Sequence, residues 1–178
     1  MEVCGLRQEP TYVMNEKVDP MLRVFFDGLC EPKNPGGVAC YGFVVYKSPV
    51  GEAKVFEDYG VAAEPGPDST HNVAEYTGLI KSIEWVLANQ FDRGLEILGD
   101  SQLVIRQLTG EYKVRSPRVT PLYDRAVSLL EAFEWTAKWI PREENTVADE
   151  LSEKSYREYC MKRYGRVPLT MRQTGAIE

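Results

Sequence analysis

"FFDGLCEPKNPGG", residues 25–37, places one acidic residue inside an apolar run and follows that run with a loop rich in proline and glycine. The overlapping segment "LRVFFDGLC" (22–30) is apolar, β-branched and aromatic, which predicts a β-strand ending at this loop. A carboxylate on such a strand loses solvation on burial unless something pairs with it. Asp27 therefore needs a partner.

The segments that follow predict a meander of strands and then alternating helices and strands. The next strands are "GVACYGFVVYK" (37–47) and "AKVFEDYGVAA" (53–63), and the turn signals between them favour antiparallel pairing. Apolar residues then recur every three or four positions over 71–90, which indicates a helix. Further elements are predicted at 94–100 (strand), 101–108 (helix), about 121–133 (helix), 133–140 (strand) and from Pro141 to about 161 (helix). This order indicates an α/β fold with a mixed five-stranded sheet, three antiparallel strands and then parallel ones, and helices on both faces.

Bulk composition is that of an ordinary globular domain: 178 residues, 43% hydrophobic and 27% charged. No apolar run approaches the roughly 20 residues of a membrane span, and the N-terminus lacks the features of a signal peptide. We therefore expect a cytoplasmic, monomeric protein with no membrane partner. The cysteines are scattered without a CxxC pair, which argues against a zinc site. Free thiols are expected, and a disulfide is the alternative.

The formal charge of −6 at first disfavours nucleic acid as a partner. Its distribution is uneven, however, because residues 1–20 carry a net −2, residues 161–178 a net +3, and the part between them a net −7. If several of the central acids share a divalent metal site, the metal-bound protein is much less negative than the sum suggests. Net charge therefore does not decide the partner.

Four acidic residues lie at places where strands end or helices begin. Asp27 is on the first strand, Glu75 near the start of the long helix, Asp100 between a strand and a helix, and Asp149 in the last helix. Open α/β sheets bind ligands where strands end and helices begin. These carboxylates can therefore converge on one site.

Three of the four acids also have an ordinary structural interpretation. Glu75 can be the capping-box partner of Asn72, Asp100 can cap the helix at 101–108, and Asp149 can belong to a solvated acidic face with the glutamates that follow it. Asp27 has no such interpretation, because no cap or turn requires a carboxylate inside the run. One unexplained carboxylate is weak evidence for a functional site. A functional interpretation needs one cause that accounts for all four acids.

Four separated motifs, "DG…NPGG", "THNVAEY", "GDSQLV" and "WIPREENTVADELS", occur in this order on this order of elements. The combination strongly resembles the type 1 ribonuclease H family, in a short, archaeal-like form without a basic insertion, over about residues 21–160. The resemblance implies a ribonuclease H-like fold for a domain at 21–161. It leaves residues 1–20 as an N-terminal extension and 162–178 as a basic C-terminal tail.

The resemblance also implies a function and a cofactor. Asp27, Glu75, Asp100 and Asp149 would hold two Mg²⁺ or Mn²⁺ ions, and the enzyme would cut the RNA strand of an RNA–DNA hybrid, leaving 5′-phosphate and 3′-hydroxyl ends. The chemistry agrees, since Mg²⁺ prefers hard oxygen ligands and a metal pair roughly 4 Å apart activates water and stabilises both departing and attacking oxygens. Two alternatives stay open: the same chemistry on double-stranded RNA or RNA–DNA junctions, and a non-catalytic nucleic-acid-binding module.

The resemblance further points to substrate-binding residues, which would sense the 2′-hydroxyl of RNA and the shape of the hybrid. They are Gly28, Asn34, Thr70, His71, Asn72 and Gln102. Small residues allow close approach of the backbone to a sugar, and amides carry both donors and acceptors. Asn34 can instead shape a tight turn, and Thr70 can instead cap the helix at 71–90.

The sequence departs from familiar family members at two places. Only "TGEYKVRSPRVT" stands where some members have a basic insertion, so Lys113 and its neighbours would form a reduced hybrid-binding surface, or simply a solvated loop. The histidine that several members carry before the fourth acid is missing, and the matching segment is "PREEN". Arg142 or Glu144 would have to replace that histidine, or the role is absent. We expect Arg142 to lie near a phosphate there, with a surface arginine at a helix start as the alternative.

Overall fold

The order of strands and helices along the chain is the predicted one. The computed structural model describes residues 21–47, 53–91 and 94–167. The strands are β1 (Leu22–Glu31), β2 (Val38–Lys47), β3 (Ala53–Ala63), β4 (Leu95–Gly99) and β5 (Trp135–Trp139). The helices are α1 (His71–Ala88), α2 (Gln102–Leu108), α3 (Thr120–Leu130) and α4 (Thr146–Tyr164), and a short 3-10 turn spans Arg142–Glu144.

The strands form one mixed sheet in the order β3-β2-β1-β4-β5. β2 pairs antiparallel with both β1 and β3, while β4 pairs parallel with both β1 and β5. Because β1 and β4 run side by side in the same direction, Asp27 on β1 and Asp100 just after β4 lie toward the same end of the sheet. The predicted mixed α/β sheet is therefore confirmed, and it brings two of the four acids together.

Helices cover both faces of the sheet. Adjacent residues on a strand point to opposite faces, and a Cβ on Gly42 would lie 2.6 Å from Ala148 of α4, whereas the neighbouring Tyr41 faces Gly78 of α1. On the α1 side a large core joins buried residues of β1, β2, β4, α1, α2 and α3, and on the α4 side a smaller cluster includes Val38 and Cys160. Asp27 lies on the α4 face, because its carboxylate contacts that helix.

The last helix departs from the prediction at both ends. A 3-10 turn follows Pro141, Asn145 has a non-helical backbone (φ −108°, ψ 21°), and α4 begins only at Thr146. The helix ends at Gly165, whose φ of 68° is the left-handed conformation that terminates many helices. Lys162 and Arg163, assigned to the tail by the sequence, therefore belong to the last turn of α4. Residues 1–20 and 168–178 lie outside the described residues.

The described cysteines, Cys30, Cys40 and Cys160, are buried and free, as expected from the sequence. Burial raises the pKa of the Cys40 thiol to about 11, so this side chain stays protonated and unreactive at neutral pH. Cys4 lies outside the described residues. Among the helices that are described, none combines the length and the apolar character needed to cross a bilayer.

Candidate active site

Asp27 lies within β1 and is only 7% exposed. Its Oδ2 accepts a hydrogen bond of 2.9 Å from the Ser152 hydroxyl on α4. Burial, helped by the negative charges of Asp100, Asp149 and Glu75, raises the pKa of Asp27 to about 7, and the Ser152 hydrogen bond opposes this shift. Among the described residues, Asp27 is therefore a poorly solvated carboxylate with one hydroxyl as its hydrogen-bond partner and three other acids nearby.

Glu75 lies on α1 and is 5% exposed. The helix is capped by Thr70, whose Oγ1 accepts from the Val73 amide, so the capping-box alternative for Glu75 is wrong. Its carboxylate is instead contacted by the Ser101 hydroxyl at 2.7 Å and by Nε2 of His71 at 3.1 Å. The hydrogen bond with Glu75 raises the pKa of His71 above its ordinary value.

Asp100 follows the last residue of β4. The neighbouring Ser101, not Asp100, caps α2, since its Oγ accepts from the Val104 amide at 3.3 Å. The capping alternative for Asp100 is therefore also wrong. Its Oδ1 accepts a 2.6 Å hydrogen bond from the side-chain amide of Asn145, and its main-chain oxygen accepts from the Trp139 indole at 3.0 Å. Both partners come from elements at the same end of the sheet as Asp27.

Asp149 lies in the first turn of α4. Its side chain is 23% exposed and accepts a hydrogen bond from the Arg142 guanidinium, which is 67% exposed. Asp149 therefore faces Arg142 and the other acids rather than forming a solvated surface with the glutamates that follow it. Arg142 lies on the 3-10 turn before α4 and contacts Asp149 directly. Burial lowers the pKa of its guanidinium, but the negative charges of Asp149, Asp27 and Asp100 outweigh burial and raise that pKa.

A chain of contacts links the four acids into one cluster. Ser101, next to Asp100, contacts Glu75, and Ser152, one helical turn after Asp149, contacts Asp27. Asn145 connects Asp100 to the start of the helix that carries Asp149. The sequence predicted that these acids converge, and β1, α1, the end of β4 and the start of α4 bring them together.

The donor set of this cluster fits Mg²⁺ or Mn²⁺. All four side chains offer hard oxygen ligands without a thiol, and a cation would offset both the burial and the carboxylate repulsion that raise the pKa of Asp27 to about 7. Within the described residues, no three His, Cys, Asp or Glu side chains are arranged to hold one metal ion as they stand. The carboxylates point at hydroxyl, imidazole, amide and guanidinium donors instead. Metal binding would therefore need small rotations of these side chains.

Several predicted substrate-binding residues surround the N-terminus of α1. The amide of His71 donates to Oδ1 of Asn34 at 3.1 Å, which ties the first loop to the helix. Thr70 caps α1, which was the alternative to a substrate contact for this residue. At Gly28 a Cβ would lie 2.3 Å from the Glu75 amide nitrogen, so glycine is needed here for close packing of β1 against α1. Contact of Gly28 with an RNA sugar stays a prediction.

The remaining predicted residues lie on the periphery. Asn72 is half-buried on the first turn of α1, and Gln102 is exposed at the first position of α2, two residues from Asp100. Lys113 is exposed on the connection between α2 and α3, outside the carboxylate cluster. The structure thus brings Arg142 and His71 into direct contact with the acids and leaves Lys113 at a distance from them.

Four residues that contact the acids or their backbone through a hydroxyl, an amide or an indole N–H were not predicted from the sequence. They are Ser101, Trp139, Asn145 and Ser152. Two of them had a usable signal, because Asn145 and Ser152 are four residues before and three after Asp149, which places them near it at the start of one helix. Ser101 had none beyond its place next to Asp100. Trp139 pairs with Gly99 across β4 and β5, which only the sheet register reveals.

Comparison with known proteins agrees with this geometry. A family model described as reverse transcriptase-like matches residues 57–155. Ribonuclease HI of Halobacterium salinarum is 36% identical over 135 residues, which is 74% of this chain and 62% of that protein. The crystal structure of RNase H1 from the same archaeon superposes with a TM-score of 0.66 at 32% identity, over 76% of this chain and 96% of that one. The chain belongs to the type 1 ribonuclease H family.

Another family member of similar structure is LC11-RNase H1, whose crystal structure was determined in complex with an RNA/DNA hybrid. It superposes on this ribonuclease H-family chain with a TM-score of 0.68 at 26% identity, over 78% of this chain and 98% of that one. The chain spans less than two thirds of the length of the Halobacterium protein.

Proposed function

We propose that this chain is a divalent-metal-dependent endoribonuclease that hydrolyses the RNA strand of RNA–DNA hybrids, leaving 5′-phosphate and 3′-hydroxyl ends. The observation that carries the proposal is the convergence of all four family carboxylates, Asp27, Glu75, Asp100 and Asp149, at one end of the sheet. Non-catalytic modules on this fold would be expected to lack one or more of these acids. The family relationship and the hybrid-bound relative support the substrate class.

The proposed chemistry needs the acids to hold two Mg²⁺ or Mn²⁺ ions, which would supply an activated water and stabilise charge on the phosphate. The protein side of the reaction is organised by its own contacts. Ser152 and Ser101 hold the buried carboxylates of Asp27 and Glu75 in place. Arg142 pairs with Asp149 here, and a cation held by Asp149 would leave its guanidinium available for a phosphate oxygen.

The proposed substrate contacts lie on both sides of the acids. Asn34, Thr70, His71 and Asn72 lie at the N-terminus of α1 or in the loop tied to it. Further contacts proposed from the family resemblance are Gly28, Gln102, Lys113 and Arg142. Exposed amides and a helix N-terminus suit recognition of a sugar–phosphate backbone, since both provide donors to phosphate and hydroxyl oxygens.

The decisive test replaces Asp100 by Asn and measures cleavage of a labelled hybrid with Mg²⁺, with Mn²⁺ and with chelator. We expect cleavage to be abolished while hybrid binding stays measurable, because the substitution removes a ligand charge and keeps the shape. Asp124→Asn, an exposed carboxylate on α3, is the matched control and should cleave normally. Undiminished cleavage by the Asp100→Asn variant contradicts the proposal.

Substrate range is tested in the same assay with three duplexes: a matched hybrid, double-stranded RNA, and DNA carrying a single ribonucleotide. We expect the hybrid to be cleaved fastest. Preference for either of the other two duplexes would keep the chemistry and change the substrate assignment.

A monomeric, cytoplasmic enzyme is the form we propose, and sedimentation of the full chain tests its oligomeric state.

A further inference from the structure

Asn145 immediately precedes α4 and is only 1% exposed. Asparagine at such a position normally accepts a hydrogen bond from a main-chain amide in the first turn of the helix. Here the side chain makes no capping hydrogen bond. The residue therefore occupies a capping position without doing what a cap does.

The side-chain amide of Asn145 is used for two other contacts. Its Nδ2 donates to the main-chain oxygen of Phe26 at 2.9 Å and to Oδ1 of Asp100 at 2.6 Å. Both partners accept hydrogen bonds only, so the NH₂ group must face them and the orientation of the amide is determined. As a consequence, Oδ1 of Asn145 is buried and has no hydrogen-bond partner among the described residues.

A buried amide oxygen without a partner costs free energy. A serine or aspartate at this position could cap α4 without that cost. Stability of the helix therefore does not explain the asparagine. What distinguishes asparagine from these alternatives is one NH₂ group that can reach two acceptors on different strands at once.

The groups that Asn145 joins belong to three of the four carboxylate segments. Phe26 directly precedes Asp27, Asp100 is contacted itself, and the main-chain oxygen of Asn145 accepts from the amide of Asp149 at 3.1 Å. We propose that Asn145 is a positioning residue, which fixes β1, the end of β4 and the start of α4 relative to one another so that their acids share metal ions. The inference rests on the proposed function, because it assumes that these acids are metal ligands.

The experiment compares Asn145→Ala and Asn145→Ser with the unmodified chain. Serine can still cap α4, but it is too short to bridge Phe26 and Asp100. Ile83→Val is the control, because this fully buried residue of α1 is not part of the carboxylate cluster and the change gives a modest loss of stability. For each protein we would measure Mn²⁺ affinity by calorimetry without nucleic acid, and then kcat and KM on hybrid.

We expect both Asn145 variants to bind Mn²⁺ about 10- to 100-fold more weakly, because residues that orient metal ligands have effects of that size. Turnover at a fixed Mn²⁺ concentration should fall with metal affinity, while KM for the hybrid stays within about threefold, and Ile83→Val should change neither. Serine should recover helix stability relative to alanine without recovering metal affinity.

Recovery of metal affinity and turnover in Asn145→Ser would overturn the inference, since serine cannot bridge Phe26 and Asp100 and the bridge would then not be what positions the acids. Unchanged Mn²⁺ affinity in both variants would overturn it as well. If Asn145→Ala fails to fold, the serine variant alone decides between these outcomes. A chain that binds Mn²⁺ but does not cleave hybrid would contradict the proposed function, and the affinity comparison would still decide the role of Asn145.

Discussion

The acids of the proposed site form an inner pair and an outer pair, and the two pairs differ in surroundings. Asp27 and Glu75, the inner pair, are 7% and 5% exposed and are held by neutral serine hydroxyls, and the imidazole of the half-exposed His71 also contacts Glu75. Asp100 and Asp149, the outer pair, are half-buried and are contacted by an amide and a guanidinium.

This difference determines what each pair requires of a bound cation. A buried carboxylate pays a large desolvation penalty, which one hydroxyl offsets only in part, so Asp27 of the inner pair favours either a proton or a metal. The outer pair is screened by water and Arg142 already balances one of its charges. The inner pair should therefore couple metal binding to stability, whereas the outer pair should affect mainly metal binding and the chemistry.

The largest effect expected from this comparison is on cleavage. Asp27→Asn should lower kcat by about a thousandfold or more, because it removes a ligand charge from the dry part of the site. Asp149→Asn should lower kcat by about a hundredfold, since its position is wetter and Arg142 already balances its charge. Single-turnover cleavage of hybrid at saturating Mg²⁺ measures both, and equal losses would remove the distinction between the pairs.

The positions of the acids could be predicted from the sequence because each depends on local signals. An apolar run with turn residues after it defines β1 around Asp27, and the three-and-four spacing of apolar residues defines α1 around Glu75. Parallel pairing of β1 with β4 then follows from the order of elements and places Asp100 near Asp27. The fold and the convergence of the acids required nothing beyond such patterns and the family motifs.

The contacts that hold the acids could not be predicted in this way. Ser152 lies 125 positions after Asp27, and Asn145 lies 119 positions after Phe26, so no local pattern relates them. The start of the last helix was misplaced for a related reason. Proline commonly opens a helix, but here the chain first makes a 3-10 turn, and Asn145 turns its amide toward the sheet instead of continuing a helix.

The next effect is a pH dependence of stability that belongs to the inner pair. The pKa of Asp27 is about 7 in the folded protein against 3.8 for an ordinary aspartate, so folding favours its protonated form. The stability associated with that proton is fully present below about pH 4 and is lost as the pH rises through 7. In chelator, Asp27→Asn should therefore be more stable than the unmodified chain at pH 8, by up to about 4 kcal/mol, and the two should converge near pH 4.

Urea unfolding in chelator at several pH values between 4 and 8 measures this difference. Ile83→Val, which changes no titratable group, is the control, and its stability relative to the unmodified chain should not depend on pH in this range. Saturating Mg²⁺ should reverse the order at pH 8, because the metal stabilises only the chain that retains its ligand. A constant difference between Asp27→Asn and the unmodified chain across the range would contradict the assignment of the raised pKa to Asp27.

A smaller effect separates the residues that contact the two pairs. Ser152→Ala removes the single hydroxyl that lowers the pKa of Asp27, and at pH 8 without metal it should cost about 1–2 kcal/mol of unfolding free energy.

Arg142→Gln breaks an exposed ion pair and should change stability by less than about 1 kcal/mol. It should instead strengthen Mn²⁺ binding several-fold, on the order of the Coulomb energy of one exposed charge pair, because a competing cation is gone.

Unfolding and calorimetric titration of the two variants side by side measure these opposite outcomes. Arg142→Lys is the matched control, since it retains the charge and should retain most of the competition with the metal. A large loss of stability in Arg142→Gln, or weaker metal binding, would show that the guanidinium supports the site instead of competing with the metal.

The smallest effect lies outside both pairs, at Lys113. This exposed lysine is on the connection between α2 and α3, so its replacement by alanine should leave metal affinity, stability and kcat unchanged. If it contacts a phosphate of the hybrid, the slope of log affinity against log salt should become shallower by about 1, with a loss of affinity of a few-fold at low salt only. Lys81→Ala, an exposed lysine paired with Glu84 on α1, is the control. Equal slopes for the two variants would assign Lys113 to a solvated loop, and would restrict the hybrid-binding surface to the loops around α1 and the turn that carries Arg142.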